Sequence, residues 1–516
     1  MESKFELERQ AKELIETDPA AAVAIYRKLW SEFQESFNAW DAFYSIKALR
    51  KASISDFEWA RVFVDKFEDE KVRGQFGWLV FDICIKNCER DEILGYEELL
   101  SSLIEVSPQK NIRQDPNYPC PTTISIFKLI GAHSKNQFNA GRINDLLDLL
   151  NLDYLSDTPL TMKTEERGNI EVASDFEKFY ALKTKALLKL EQYSSCKSLC
   201  EEALGTITKF HYDNDLWFQM RIAICNEHLG NIDESKEQFE SILTTKKGSD
   251  KWFIFKKLSE LYYEQETYVS AWKYAIIAAL GGNEPKYMND LYLLQTRILY
   301  KLGRQEEGKI LAELIASVIK EQQWRTKDKY ARLIKYYAID TEALEDTGKY
   351  LKKAQDFWIE ERYRDVPKTS GQIVFVHNNG KVGKIEDSHG RTVGFHRKHF
   401  TKRTRNIAEL KEATVEFYAM TSFDGSLAAE NIVVTSPAKK IPGHENVGKI
   451  YNGTVKNIVN FGIFVGIDDK SDGLLHKSKI PPDIRNTFHE RFKPGDTIKV
   501  EVIALTEKGM QLKLVH

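Results

Sequence analysis

The chain has 516 residues, 42% hydrophobic and 29% charged, with a net charge of −3 at neutral pH. That apolar content excludes global disorder, no apolar run approaches the ~18 residues of a membrane-spanning helix, and the length accommodates three or more folded units. Six cysteines over this length exclude a disulfide scaffold and fit a reducing compartment.

The net charge hides a division. From Gly371 onward there are 22 basic and 16 acidic residues, a net of +6, while the first 370 residues hold 52 and 61, a net of −9. Such a split predicts two modules with different partners, the basic one for a polyanion. The opening MESKFELERQAKELIETD is charged throughout and lacks the apolar core of a signal peptide, so a cytoplasmic chain with no membrane attachment is expected.

In chain order, 1–155 reads as divergent helical pairs with aromatic stripes such as Trp30, Phe33, Phe37, Trp40, Phe43 and Tyr44, which at helical spacing belong to helix–helix packing. The stretch 106–123, VSPQKNIRQDPNYPCPTT, carries four prolines and cannot be helix interior. Helix resumes from Ile124, and a polar break spans 156–172. From there to 365, apolar residues recur at spacings of three and four, over a longer period. Aligned on Cys196, Ser235, Ala271 and Gly308, each unit has a helix, a polar break, a small residue and a second amphipathic helix. A small residue there lets two antiparallel helices approach closely. With Leu258, Tyr262, Ala271, Tyr274 and Ala278 at bulky and small positions, the region 156–365 resembles the tetratricopeptide repeat family, although Glu191 and Glu266 stand where that pattern has Gly. The resemblance implies a helical-repeat solenoid that holds a protein partner. VPKTSG then reads as a short linker.

After Gly371 the period falls to two, in short β-branched segments separated by Gly, Asn and Asp turns. Two small all-β barrels of OB type are expected, at 371–435 and 446–516, making the fold class a multidomain all-α solenoid followed by two barrels. In the second, alternation after Phe461 places Ile463, Val465 and Ile467 on the core face. Gly462, Phe464 and Gly466 take the other face, so the Phe464 ring should stand open between two glycines, ready to stack on a base. Lys456, Lys477 and Lys479 are candidate phosphate contacts. Gly453, Val455, Ile458, Phe461, Gly462, Phe464, Val465, Gly473, Leu474, His476 and Ser478, followed by Pro494, Gly495 and Asp496, are similar to the OB-fold RNA-binding motif named after the S-one protein of the small ribosomal subunit. The resemblance implies that Phe461, Phe464 and His476 meet RNA. Thr506 and Gln511 depart from that family, which often has an acidic residue and an Arg there.

The first barrel resembles a divergent cold-shock domain at Gly371, Ile373, Phe375, Gly383, Ile385, Val393, Phe395, His396, Ala428, Ala429, Asn431 and Val433. Its expected aromatics are replaced by Val382, Lys384, Gly394 and Arg397. The run HRKHFTKRTRN (396–406) holds five basic residues and no acid, a pattern for attraction to a phosphate backbone. Phe395, His396, Arg397, Lys398, Lys402, Arg403 and Arg405 are therefore candidate RNA contacts.

No catalytic or metal residue and no cofactor is expected. GHENVGK (443–449) fits only part of a phosphate loop, because Ile450 stands where Ser or Thr must hold magnesium. Cys84 with Cys88, and Cys196 with Cys200, lack further zinc ligands nearby and read as buried thiols. The sequence thus reads as a non-enzymatic adaptor that holds single-stranded RNA, or single-stranded DNA, on its barrels and a protein on its helices. The rival readings are a protein scaffold with degenerate barrels, and a nuclease with a site in 1–175.

Overall fold

Short polar side chains start the first five helices of the body. Ser3 with Glu6 and Asn38 with Asp41 form reciprocal capping boxes, and Asp18, Asp56 and Asp69 cap the helices that follow them. Each satisfies N–H groups that the first helical turn leaves without a partner. The computed structural model describes residues 3–86, 88–90, 92–114, 119–164, 168–402, 407–436, 447–467, 472–506 and 509–515. Arg403, Arg405 and most of the inter-barrel stretch, including 443–446, lie outside them.

Four helix pairs follow one another: Asp175–Lys189 with Tyr193–Thr206, Asn214–His228 with Ile232–Thr244, Trp252–Glu264 with Tyr268–Leu280, and Asn289–Lys301 with Gln305–Glu321. Cys196, Ser235, Ala271 and Gly308 are all buried on the second helix of their pair. The first helix of each pair ends in one and the same way. Glu191, Gly230, Glu266 and Gly303 adopt positive φ of 59°, 87°, 58° and 74°. The next N–H then reaches back five residues: Gln192 to Leu187 (2.9 Å), Asn231 to Asn226 (2.8 Å), Thr267 to Tyr262 (2.9 Å) and Arg304 to Leu299 (2.8 Å). This left-handed closure satisfies carbonyls at the helix end, and two of the four positions achieve it without glycine. The last helix, Thr347–Tyr363, buries Trp358 against Tyr292 at 5.6 Å between ring centroids. Its Glu361 accepts hydrogen bonds from Trp272 Nε1 (2.8 Å) and Arg304 Nη1 (2.7 Å).

Three expectations change. The break at 156–172 contains an antiparallel hairpin, β1 (Leu160–Thr164) and β2 (Gly168–Val172). The helix after the Pro-rich stretch starts at Pro121, whose missing N–H costs nothing in the first turn, rather than at Ile124. The expected linker is partly strand, since Lys368, Thr369 and Ser370 pair with Tyr418, Phe417 and Glu416. Among the described residues no helix is long and apolar enough to cross a membrane.

The chain divides into two compact units, Met1–Arg362 and Tyr363–His516. The second holds two closed five-stranded barrels. The first barrel comprises β3 (Lys368–Val376), β4 (Val382–Asp387), β5 (Thr392–His396), β6 (Thr414–Thr421) and β7 (Leu427–Ser436). The second comprises β8 (Ile450–Val459), β9 (Gly462–Ile467), β10 (Gly473–His476), β11 (Thr497–Thr506) and β12 (Gly509–Leu514). Both close in the same order, first–second–third–fifth–fourth, with the third strand parallel to the fifth. That arrangement is consistent with OB folds. Ile373, Ile385, Val393, Val415 and Phe417 fill the first core, and Val455, Ile463, Val465, Leu475, Val500 and Leu512 the second.

Candidate nucleic-acid interface

Alternation along β9 does turn Ile463, Val465 and Ile467 inward, and Phe464 falls on the outer face. There it lies opposite Leu474 of β10 and Asn457 of β8. Phe461, on the preceding turn, is 47% exposed, and its ring meets that of Phe464 edge to face, centroids 6.4 Å apart. The Lys477 N–H donates to the Phe461 carbonyl at 2.9 Å, tying this turn to the 3-10 turn Lys477–Lys479. Exposed His476 caps that turn: its Nδ1 accepts from the Ser478 N–H at 3.2 Å. A neutral imidazole accepting at Nδ1 carries its proton on Nε2, where it can donate to a phosphate or a base. Lys477 and Lys479 are exposed beside it.

The glycines beside Phe464 serve other purposes than baring the ring. A Cβ on Gly462 would lie 2.4 Å from the Leu475 carbonyl oxygen, so glycine is required by the close approach of β10. A Cβ on Gly466 would strike the Lys456 stem at 2.5 Å. Lys456 is the extra residue of a bulge between Val455 and Asn457; its stem crosses Gly466 and its ammonium pairs with Asp472 at 2.7 Å. An exposed pair of this kind is worth at most about 1 kcal/mol, so it does not withhold Lys456 from a phosphate. Phe464 is half-buried, not open, and Phe461 is the more exposed of the two rings.

The first barrel repeats this framework with different side chains. Its bulge falls between Ile373 and Phe375, matching Val455 and Asn457. His396, like His476, ends the third strand and caps a 3-10 turn, its Nδ1 accepting from the Lys398 N–H at 3.1 Å. The Arg397 N–H donates to the Lys381 carbonyl at 2.7 Å, as Lys477 does to Phe461. Pairing of β4 with β5 then puts Lys384 where β9 has Phe464. Lys381 and Lys384 thus occupy the two ring positions. The aromatic surface moves one strand over, to Phe375, which is 47% exposed, lies opposite Lys384, and has the His377 ring 6.5 Å away. Sequence alone does not single out Phe375 and Lys381 as contacts, because their place on the outer face depends on the bulge and the pairing register.

Phe395 requires a correction. It points inward with Val393, is 4% exposed, and packs on Phe400 at 5.5 Å. Its ring fills the space that a Cβ on Gly383 would take, 2.4 Å away. Phe395 is core, and the outer face of β5 belongs to Gly394 and His396. Arg397, Lys398 and Lys402 are exposed. The nearby His399 is spent on structure: its Nδ1 lies 2.9 Å from the Ala429 carbonyl, and burial lowers its pKa.

Residues 445–514 match the S1 RNA binding domain family. The polyribonucleotide nucleotidyltransferase of Sulfurovum sp. (strain NBC37-1) is 42% identical over 82 residues, 16% of this chain and 11% of that protein. The enzyme of that name from Chlamydia trachomatis serovar L2 is 34% identical over 121 residues, 22% of this chain and 17% of that protein. The chain therefore spans less than a fifth of the curated relatives it matches. These relatives are named for an enzyme, which overturns the expectation of a non-enzymatic chain, although the likeness is confined to the C-terminal region. Among solved structures, the human IFIT1 dimer with m7Gppp-AAAA is 12% identical, covering 70% of this chain and 82% of that one, with a TM-score of 0.25. A multidomain protein with nucleic acid binding domains from Streptococcus pneumoniae is 15% identical, covering 29% and 45%, with a TM-score of 0.12. Likeness at that level carries no argument. The family match and the barrel geometry agree: the chain carries an S1 RNA-binding domain at its C-terminus.

Proposed function

We propose that the chain holds single-stranded RNA on the outer faces of its two barrels and a protein partner on its helical body, as a cytoplasmic RNA-binding adaptor. The observation that carries the reading is the Phe461–Phe464 ring pair set beside His476, Lys477 and Lys479 on a domain of the S1 family. Aromatic rings offer a sequence-tolerant platform for bases, and the lysines offer attraction to the backbone. In the first barrel, Phe375, Lys381 and Lys384 supply a more charged version of that face, continued by His396, Arg397, Lys398 and Lys402. Charge supports the division of labour, +6 against −9. The body's successive helix pairs, with their tetratricopeptide-like spacing, suit an extended surface for a basic or amphipathic segment. Fluorescence anisotropy with single-stranded and duplex RNA tests the first half; equal affinity for both would oppose it. Cross-linking in native extract tests the second. A protein partner should persist after ribonuclease treatment, and loss of every partner would reduce the helices to a spacer.

A further inference from the structure

We infer that the second barrel selects adenine among the bases of the RNA it holds, through the side-chain amides of Asn457 and Gln511; this rests on the RNA-binding reading proposed above and adds the base that is chosen. Strand register brings the residues into one row. Asn457 of β8 lies opposite Phe464 of β9, Phe464 opposite Leu474 of β10, Leu474 opposite Gln511 of β12, and Gln511 opposite Ala504 of β11. Directly opposed residues share a face of the sheet, and alternation says which face it is. Met510 and Leu512, on either side of Gln511, are buried in the core, as Ile463 and Val465 are on either side of Phe464. Asn457 and Gln511 are both exposed, and among the described residues neither amide is hydrogen-bonded to the protein.

The chemistry of the row follows from its order. A base stacked on Phe464 lies over Leu474 beside it, and strands ~4.8 Å apart leave an amide on each side of that base. A carboxamide carries a donor beside an acceptor and no charge. Of the four bases, only adenine presents a donor beside an acceptor on both its Watson–Crick edge (N6, N1) and its Hoogsteen edge (N6, N7), and so can engage both amides. The Hoogsteen edge of guanine has two acceptors, which suit arginine or lysine instead. The first barrel supplies the contrast. Its corresponding row runs through Phe375, Lys384, Gly394, Ala428 and Met420, with a cation where the second barrel has Phe464 and no amide at all. That row can attract a phosphate backbone, which positions a strand without reading it, so selection belongs to the second barrel.

Anisotropy titrations of the full-length chain with short oligouridylates whose central bases are A, C, G or U test the selection. The adenine-containing strand should bind about tenfold more tightly than the other three, the size of one good amide–adenine pair. That ratio should hold at every salt concentration, because neutral amides displace no counterions. The Asn457→Ala/Gln511→Ala variant should bring the four strands to one affinity, close to that of wild type for oligouridylate. Gln511→Arg should move the preference to guanine. Replacing Lys381 and Lys384 by Ala should weaken all four strands and leave the ratio alone. Should the Asn457 variant, next to the bulge, fail to fold in thermal melts, the Gln511 variants decide: Gln511→Ala should cut the preference to about threefold or less. Wild type that binds all four strands alike, or that prefers another base, would overturn the inference and leave the RNA-binding reading standing. So would an adenine preference that survives in the folded double amide variant. Wild type that binds none of the four would overturn both.

Discussion

Phe461 and Phe464 share one face of the second barrel but differ in cover, and the difference sets what each substitution should do. Phe461→Ala removes an exposed ring, so RNA affinity should fall by ~1–3 kcal/mol while the melting temperature stays put. Phe464→Ala should cost similar affinity and also lower the melting temperature, because its half-buried ring packs on the barrel wall. Anisotropy with parallel melts separates the two effects, and a destabilised Phe461→Ala would show that its ring is structural. On the first barrel, lysines at the equivalent positions should act through charge. Replacing Lys381 and Lys384 by Ala should flatten log K against log salt by about 0.7 for each phosphate that is no longer neutralised; an unchanged slope would take that face out of the RNA path. The second site is legible in the sequence almost whole, since alternation places Ile463 and Phe464 on opposite faces without further information. Sequence misleads at Gly462 and Gly466, whose neighbours across the strand or on the bulge are tertiary facts. At Phe395 the signal is present but easily passed over, because Val393 and Phe395 share one face of a period-two strand.

At the scale of elements, the helix pairs are legible because small residues and breaks recur every 36 to 39 residues. The break at Glu266 was not marked by its residue type. A non-glycine residue in the left-handed region costs ~1–2 kcal/mol, and the greater freedom of unfolded glycine takes back about 0.5–1. Glu266→Gly should therefore stabilise the chain by up to about 1.5 kcal/mol in urea melts; a loss would mean that the side chain contributes more than its backbone strain. The β1–β2 hairpin is not legible in the sequence because it is short and largely polar, although Leu160 and Val172 pair across it. It is fastened to the helices by His211, whose ring lies 2.9 Å from Glu171 on β2 and 2.7 Å from buried Glu177. Burial alone would lower the His211 pKa, but hydrogen bonds and charge from Glu171 and Glu177 outweigh it and raise it above its ordinary 6.5. Stabilisation from a raised histidine is complete below pH 6.5 and is lost as pH climbs through the folded value. The stability gap between wild type and His211→Gln should thus narrow from pH 6 to pH 8.5; a constant gap would assign the contact to neutral hydrogen bonds.

At the scale of the whole molecule, charge divides the chain much as the fold does, acidic over the helices and basic over the barrels. The division was legible from composition alone, whereas the relation of this chain to named enzymes was not, because the likeness resides in one small domain. If about four phosphates of a single strand contact the barrels, log K should fall with log salt at a slope near −3. The most direct test of RNA binding by the second barrel is a salt series of anisotropy titrations with single-stranded RNA. Full-length wild type would be compared with the Phe461→Ala/Phe464→Ala double variant, each confirmed folded by thermal melt. Stacking on these rings requires the double variant to bind at least about tenfold more weakly at every salt concentration, on a parallel line. A folded double variant that binds as tightly as wild type would contradict the account.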